Sequence, residues 1–295
     1  MTTGRADTNP DNFPEIQTGG SLMIAWQIKG KRVLLVGGGE VAATRLVHLL
    51  SADALITLIA PSPLHPEVSH RLTQFPSSIT WIPRTFQPTD LTSPSNPNGE
   101  QYSLVLTAID DPVASSSIYK LAHELKIPAN IADVPSECDF YFGSVHRDGP
   151  LQIMVSTNGK GPRLASTIRK MIAKALPKNA GRAIEKMGEL RKELRKVAPD
   201  QKEGKRRMEW IKTVSDAYGW EEMGEMTGED MRNLLGWYRR NEEGEGGLVV
   251  PTLEELRGMR KENQQKGEEQ DKMDVVDELD EVQKKVEGLN VDGKE

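Results

Sequence analysis

Cysteine, long apolar runs and a leader-like N-terminus are all missing from this sequence, and each absence excludes a class of protein. Cys138 is the single cysteine in 295 residues, so no disulfide can form within the chain and no Cys-x-x-Cys metal site is possible. No apolar run approaches about 18 residues, so we expect no membrane span. The first 20 residues resemble neither an export nor a transit signal, and we therefore predict a cytoplasmic location.

The two ends of the chain lack the composition of a folded core. Residues 1–20 are polar and contain prolines and a Gly-Gly pair, so we predict a flexible arm. No aromatic residue follows Tyr238, and residues 241–295 are rich in Gly, Gln, Glu and Lys. We predict that 241–295 form a disordered charged tail, with 275–286 as a transient helix and partner binding as the less favoured alternative.

The feature that organises the rest is a glycine turn between a strand and a helix. Val33–Val36 is an apolar run suited to a buried strand, and a helical pattern reaches Leu50. The spacing Gly37-x-Gly39-x-x-Ala42 fits the dinucleotide fingerprint: Gly37 permits the turn, Gly39 lets the backbone approach a pyrophosphate, and Ala42 keeps helix and strand close. The helix N-terminus favours phosphate. We therefore predict nucleotide binding, against the alternative of a purely structural turn.

Strands and helices then alternate as far as residue 135. The predicted strands cover 54–59, 79–82, 102–108 and 128–132, with a helix over 113–125 and a loop over 89–101. This alternation predicts an α/β fold with a Rossmann-like parallel sheet over residues 21–135. The second strand ends in Ala60-Pro61-Ser62, where a typical NAD site has an acid; Ser62 could bond the ribose instead. Because no Arg lies there to pair with a 2′-phosphate, we favour NAD over NADP.

A change of pattern after residue 135 predicts two further regions. Residues 139–145 and 151–156 read as strands joined at Asp148-Gly149, which predicts a β-hairpin inside a central region, 136–161. An isolated hairpin is marginal in water, so a second subunit could cover it. Pro162 suits a helix start. We predict helices over 163–176, 180–197, 206–218 and 228–238, within a helical domain spanning 162–240.

Positive charge is concentrated in one segment. Lys160–Lys212 contains 17 Lys/Arg and 6 Asp/Glu, although the whole chain has a net charge of -6. Solvated faces of amphipathic helices are the ordinary explanation, and an anionic partner is the alternative. The segment has no interleaved aromatic residues and no recognisable nucleic-acid module, so we expect no nucleic-acid partner.

Four motifs follow one another along the chain with close spacing: VGGGEVAATR (36–45), TAIDDP (107–112), NIADVPSECDF (130–140) and VSTNGKGPRLASTIR (155–169). Together they resemble the siroheme synthase family, and most closely its fungal bifunctional members. The resemblance covers residues 21–238 and implies a Rossmann domain, a hairpin dimerisation region, a helical domain and a homodimer. It also implies two reactions: NAD⁺-dependent oxidation of precorrin-2 to sirohydrochlorin, and Fe²⁺ insertion to give siroheme.

The resemblance also implies site residues. The family's key acid, in its N-x-x-D segment, corresponds to Asp133, and a carboxylate suits both the proton loss that accompanies hydride removal and transient contact with Fe²⁺. The alternative is that Asp133 only caps the turn before Pro135. Asp139 is expected to orient the hairpin or to pair with Arg147. No His or Cys follows residue 160, so no stable metal site is expected in the helical domain.

Cofactor and substrate positions carry over in the same way. The phosphate turn, ribose end and nicotinamide side correspond to Gly37, Gly39, Glu40, Val41, Pro61, Ser62, Thr107, Ala108 and Ile109. The tetrapyrrole, which carries eight carboxylates, is expected to meet cations near a crevice between the two domains, at Arg163, Arg169, Lys170 and Lys174.

Two rival functions stay open at this stage. One is a precorrin-2 dehydrogenase that leaves iron insertion to a separate chelatase. The other is a non-catalytic sensor that binds NAD(H), against which the presence of Asp133 argues. A methyltransferase that makes precorrin-2 would need a further large domain, for which residues after Tyr238 leave no room.

Overall fold

The computed structural model describes residues 18–92, 101–240 and 249–261, together with residues 16 and 265. It divides into two compact units. The first unit comprises Met1–Gly143 and Ser156–Pro162, and the second comprises Ser144–Val155 and Arg163–Glu295. The predicted arm and the predicted helix at 275–286 lie outside the described residues, apart from residues 16 and 18–20.

The first unit is built on a five-stranded parallel sheet in the order β3-β2-β1-β4-β5. Its strands are β1 (Arg32–Val36), β2 (Leu55–Ile59), β3 (Ile79–Ile82), β4 (Leu104–Thr107) and β5 (Ala129–Ile131). Its helices are α1 (Glu40–Leu50), α2 (Pro66–Gln74), α3 (Thr89–Thr92) and α4 (Pro112–Glu124), and a 3₁₀ turn spans Pro135–Glu137. The predicted α/β class and all five predicted strands are confirmed.

Apolar strands are buried because helices cover both faces of this sheet. On one face, Leu46 and Leu49 of α1 pack with the alternate strand residues Val33 and Leu35. On the other face, Ile118 of α4 joins the opposite set of strand residues. From β1 the chain first adds β2 and β3 on one side of the sheet and then adds β4 and β5 on the other, so the direction of winding reverses between β1 and β4. Ligands of open α/β sheets bind outside the carboxyl ends of the strands at such a point.

Two helices of this unit were not predicted. Helix α2 has no counterpart among the predicted elements. Helix α3 lies where a loop over 89–101 is predicted, and most of that range falls outside the described residues. The α3 turn forms because the buried carboxylate of Asp90 accepts hydrogen bonds from Arg84 Nη1 (2.8 Å) and the Gln87 N–H (2.8 Å). Pro and Ser content alone could not indicate that pairing.

The predicted hairpin is present and belongs to the second unit. β6 (Ser144–Asp148) and β7 (Leu151–Val155) pair antiparallel around Gly149, whose φ is +54°. The first strand begins at Ser144 and not at Asp139 as predicted. Asp148 Oδ2 accepts a hydrogen bond from the Gly181 N–H at 2.8 Å, which ties the turn to a helix start.

Outside the hairpin, the described residues of the second unit are mainly helical. It contains α5 (Pro162–Ala175), α6 (Ala180–Val197), α7 (Gly204–Ala217), α8 (Trp220–Gly224) and α9 (Gly228–Arg240), and a 3₁₀ turn at Gln201–Glu203. Its core surrounds Trp210 and Tyr238, both 0% exposed, whose ring centroids lie 5.3 Å apart. The predicted helices are confirmed, with α8 in addition.

Part of the segment predicted as a disordered tail packs on this unit. Residues 253–261 are helical, and Leu256 is 1% exposed in the core. Thr252 and Glu255 cap the helix, since the Thr252 N–H donates to Glu255 Oε2 at 2.7 Å. The prediction of disorder is therefore wrong for 249–261; it was based on composition, which missed the three apolar anchors Val250, Leu253 and Leu256.

An ion pair between Arg260 and Asp230 joins the helix at 253–261 to α9. Asp230 is 1% exposed and accepts hydrogen bonds from both Arg260 and Thr227. Burial alone would raise the pKa of Asp230, but the hydrogen bonds from the Thr227 N–H and the Arg260 guanidinium outweigh it, and the pKa lies below its ordinary value. The charged form is therefore stabilised by folding.

Arg260→Gln is expected to destabilise the protein at neutral pH by about 2 kcal/mol, because a buried charge loses its partner. A lowered folded-state pKa contributes stability that is lost as pH falls through it, so the gap between wild type and variant should close below about pH 4. Urea unfolding across pH 3–7 measures this gap (the range spans the ordinary Asp pKa of about 4). Lys261→Gln, at an exposed neighbour, is the control; a gap independent of pH would contradict the pairing.

Candidate active site

The glycine turn after β1 can only be made by glycine at its first position. Gly37 has a φ of +116°, and a Cβ there would lie 2.7 Å from the Ala108 carbonyl carbon and nearer still to its oxygen. The Gly37 N–H donates to the Ile59 carbonyl at 2.9 Å, and the Ala108 N–H donates to the Val36 carbonyl at 2.7 Å. The turn is thus clamped between the ends of β2 and β4, as the fingerprint predicts.

The third glycine of the turn faces open space. A Cβ on Gly39 would meet nothing within 4 Å, although Gly39 is the N-cap of α1. The Gly39 carbonyl accepts the Ala43 N–H at 3.1 Å, so the N–H groups of Glu40 and Val41 precede the first bond of the helix. Ala42 is fully buried against the strand. This cradle fits a pyrophosphate.

The loop after β2 closes over the middle of the turn. The His65 N–H donates to the Gly38 carbonyl at 2.8 Å, and a Cβ on Gly38 would meet the Leu64 side chain at 2.5 Å. Pro61 and Ser62 are exposed at this strand end, and the Ser62–Pro63 peptide bond is cis. The strand therefore ends without an acid, as the sequence indicates.

An unpartnered hydroxyl lies at the end of β4. Thr107 is 3% exposed, and within the described part of the chain its Oγ1 has no hydrogen-bond partner. Buried polar groups are normally paired, so this hydroxyl is available to a ligand atom. Ala108 and Ile109 continue the same edge and are half-buried. The exposed end of β2, the open space at Gly39 and the unpaired Thr107 hydroxyl together fit a dinucleotide.

Asp133 lies just beyond β5, the strand that pairs with β4. It is exposed and has a φ of +62°, which Asp tolerates better than most residues. The Ala132 N–H donates to the Thr107 carbonyl at 3.0 Å, so the start of this turn is held to β4. Within residues 101–240 and the other described segments, the Asp133 carboxylate forms no hydrogen bond or ion pair. It is therefore available to a substrate.

Neighbours of Asp133 hold the turn that presents it. The Cys138 thiol donates to the Ile131 carbonyl (3.1 Å) and lies 3.3 Å from the Val134 carbonyl, and burial raises its pKa so that it stays protonated. Asn130 Nδ2 donates to the Phe140 carbonyl at 2.8 Å. Asp139 Oδ2 accepts from the Ala129 N–H at 2.8 Å. Asp139 thus fixes the start of β5, which is a role that was not predicted for it.

Sequence reasoning missed a cation beside Asp133. The Arg45 guanidinium carbon lies 4.4 Å from the centroid of the Phe142 ring, and the His48 ring lies 5.1 Å from it. Burial lowers the pKa of Arg45, and the nearby Cys138 and Asp133 side chains act against that lowering. Arg45 stands within the fingerprint motif, but only the fold brings the end of β5 to the side of α1.

The predicted tetrapyrrole-binding cations all lie on α5. Arg163, Lys170 and Lys174 are exposed, whereas Arg169 is half-buried and donates through Nε to Ser144 Oγ at 3.1 Å. Among the described residues, no group of three or more His, Cys, Asp or Glu side chains could hold a metal ion. In the same residues, no helix is both long enough and apolar enough to span a membrane.

Three family models match consecutive parts of the chain. The first, described as putative NAD(P)-binding, matches residues 24–144. The second, sirohaem biosynthesis protein central, matches residues 148–175. The third, sirohaem biosynthesis protein C-terminal, matches residues 177–243. Their order is that of the motifs described above.

Curated relatives and a solved structure agree with those matches. The chain is 43% identical over 245 residues to a siroheme biosynthesis protein of Schizosaccharomyces pombe, covering 83% of this chain and 89% of the relative. It is 33% identical to a siroheme biosynthesis protein of Saccharomyces cerevisiae, covering 68% and 84% respectively. The structure of SirC, precorrin-2 dehydrogenase, matches with a TM-score of 0.53 at 18% identity, over 75% of this chain and 100% of that one. That last likeness concerns the fold.

Proposed function

The chain belongs to the siroheme biosynthesis family, and from that membership we propose that it oxidises precorrin-2 to sirohydrochlorin with NAD⁺ and then inserts Fe²⁺ to give siroheme. One observation supports this most: an unpaired, exposed carboxylate, Asp133, follows β5 at the same edge of the sheet as the complete dinucleotide turn after β1, with only β4 between these two strands. A sensor would need the turn alone. A redox enzyme needs the acid as well.

In the first reaction the ring loses a hydride and a proton, and NAD⁺ supplies the chemistry of a hydride acceptor. We assign the pyrophosphate to Gly37, Gly39, Glu40 and Val41, and the ribose to Pro61 and Ser62. The nicotinamide side is assigned to Thr107, Ala108 and Ile109. Asp133 accepts the proton, because its carboxylate has no other partner in the described residues and a general base must reach its proton directly or through one water.

In the second reaction Fe²⁺ is a substrate and not a resident ion. Two pyrrole protons must leave the ring as the metal enters, and a carboxylate can accept a proton and contact Fe²⁺ briefly. Asp133 is exposed, so it can release the proton of the first reaction to water and then take the two pyrrole protons one after the other, passing each to water. Sirohydrochlorin is already at the site where it forms. No second group is required for this assignment.

The cations of α5 are assigned to the carboxylates of the tetrapyrrole. Arg163, Arg169, Lys170 and Lys174 raise the local concentration of a polyanion. The exposed end of β2 has neither an acid nor an Arg, which favours NAD over NADP at the ribose. A reducing, cytoplasmic location suits the single free thiol of Cys138.

We propose a homodimer formed through α5 and the hairpin. Leu164, Ile168 and Met171 recur at i, i+4 and i+7 along α5 and are 65%, 44% and 66% exposed. Val145 and Met154 of the hairpin are 38% and 37% exposed. An amphipathic helix whose apolar stripe is uncovered favours a protein partner, and a second copy of the chain offers the same surface in return.

Leu164→Glu combined with Met171→Glu is expected to convert the dimer to a monomer, because two charges would enter an apolar interface. Light scattering after size exclusion measures the mass. Met208→Glu, at a residue of α7 that is 72% exposed, is the matched control and should leave the dimer unchanged. A variant that stays dimeric would show that this face is not the interface.

One anaerobic cuvette tests the proposed function. Purified protein, precorrin-2 generated in place and NAD⁺ are mixed, and Co²⁺ or Fe²⁺ is added afterwards while the visible spectrum is recorded. We expect sirohydrochlorin first, then a protein-dependent change to the metallated ring. The control is the same mixture without protein, since metal can enter tetrapyrroles unaided.

The outcomes separate the rival functions. If sirohydrochlorin forms but the metal enters no faster than without protein, the chain is a dehydrogenase alone. If no NAD⁺-dependent change occurs although NADH binds, the protein is a sensor and the enzymatic proposal fails.

A further inference from the structure

We infer that Arg45 binds a carboxylate of the tetrapyrrole substrate and so brings the ring to Asp133. This inference rests on the proposed function and adds a specificity residue to it. Arg45 lies on the first helix of the first unit, whereas the assigned cations of α5 belong to the second unit.

Arg45 lies beyond the part of α1 that is assigned to the pyrophosphate. It follows Gly39 by six residues, which places it roughly 9 Å further along the axis of α1. It is therefore past the N–H groups that suit a pyrophosphate. Phe140 and Phe142, on the segment that follows Asp133, pack against the same cluster as α1. The chain after β5 thus passes along α1, and Arg45 faces it.

A row of aromatic side chains holds Arg45 in place. Its guanidinium lies over the Phe142 ring at 4.4 Å from the centroid. Phe142 is itself fixed by Phe140, at 5.7 Å between centroids, and Phe140 by Trp26 at 5.8 Å. The contact with the ring face uses the charge of the guanidinium and none of its five N–H donors for a hydrogen bond. The aromatic row therefore fixes the position of the cation and leaves its donors available.

Within the residues that the structure describes, Arg45 forms no hydrogen bond and no ion pair. It is nevertheless half-buried, and removing a charge from water carries a cost, which lowers the pKa of Arg45. The Cys138 thiol is kept neutral by its raised pKa and cannot offset that cost. Asp133 is close enough to act on Arg45 but does not pair with it.

The ligand group that suits Arg45 is a carboxylate. A guanidinium edge matches a carboxylate in a two-bond geometry that a lysine cannot reproduce. The proposed substrate is a ring that carries carboxylates on all sides. One of them on Arg45 would neutralise the cation and leave the ring beside Asp133, whose carboxylate stays unpaired for the proton. The same contact would hold sirohydrochlorin for metal insertion.

Binding of sirohydrochlorin and of NADH, each titrated separately, tests this role without relying on turnover. We expect Arg45→Gln to weaken sirohydrochlorin binding about 10- to 100-fold, the loss of one charge-assisted contact pair. NADH binding should stay within about twofold, because the pyrophosphate cradle is elsewhere. Arg45→Lys keeps the charge and should fall between the two. Lys120→Gln, at an exposed cation of α4, is the control.

The results distinguish this inference from the proposed function. If the wild type binds sirohydrochlorin and Arg45→Gln binds it equally well, the inference is wrong and the proposed function stands. The inference also fails if Arg45→Lys lowers the affinities for sirohydrochlorin and NADH equally. That variant retains the charge and approximate length of the side chain, so such a result would indicate that Arg45 only supports the fold. If the wild type binds no sirohydrochlorin, the proposed function itself fails.

Discussion

Asp133→Ala is expected to slow both sirohydrochlorin formation and metal insertion by about 10²–10⁴-fold, the usual contribution of a positioned acid or base. The fold should survive, because within the described residues the carboxylate makes no hydrogen bond, and Ala at a φ of +62° should cost only about 1 kcal/mol. The turn is held by backbone bonds and by the Cys138 thiol. NADH titration should give an unchanged affinity, since the assigned cofactor residues are all intact.

The control for Asp133 is another exposed carboxylate of the same unit. Asp111 would be unsuitable because it caps α4, whereas Asp110 follows the end of β4 and caps nothing in the described residues. Asp110→Ala should therefore have a far smaller effect on either reaction. Asp133→Asn keeps the shape and removes the charge, so it should resemble Asp133→Ala. If the rate of one reaction falls and the rate of the other is unchanged, two different groups serve the two steps, and the assignment of both steps to one acid is wrong.

Gly37→Ala is expected to destabilise the first unit by about 2–5 kcal/mol and to abolish NAD binding. The physical reason is twofold: a φ of +116° strains any residue with a side chain, and the new Cβ would lie 2.7 Å from the Ala108 carbonyl carbon. Relief requires β1 and β4 to separate at their carboxyl ends, where the cofactor is assigned. Urea unfolding and NADH titration measure the two effects.

Gly39→Ala is the matched comparison within the same turn. Its Cβ would meet nothing within 4 Å, so only the capping preference of about 1 kcal/mol should be lost. NADH affinity should still fall about tenfold or more, because the methyl group occupies the space assigned to the pyrophosphate and breaks its contacts. Loss of affinity without loss of stability at Gly39, and loss of both at Gly37, is the expected contrast. Equal effects of the two substitutions would contradict the assignment of this turn to the pyrophosphate.

Local patterns predicted the sheet because its signals are local. The run Val33–Val36 and the glycine spacing after it determine a buried strand and a tight turn within ten residues. The Asp148-Gly149 pair did the same for the hairpin. Family resemblance then supplied Asp133 and Thr107, whose roles no spacing reveals. The orphan state of Thr107 Oγ1 depends on the strands beside it and could not be read from sequence.

What the sequence could not indicate depends on contacts between distant residues. Arg45 and Phe142 are far apart in the chain, and they meet because the segment after β5 crosses the face covered by α1. Arg260 and Asp230 are joined in the same way, through three apolar anchors in a segment whose composition suggested disorder. Composition is an average over a whole segment, whereas a few well-placed side chains determine whether that segment packs on the fold.

The most direct test of the central claim is a single turnover with protein in excess over precorrin-2. NADH and sirohydrochlorin absorbance are followed together under anaerobic conditions, with wild type and Asp133→Ala. We predict that equal amounts of NADH and sirohydrochlorin appear at one rate in the wild type, and that both slow together in the variant. Sirohydrochlorin that forms without NADH, or at an unchanged rate in Asp133→Ala, would contradict the account.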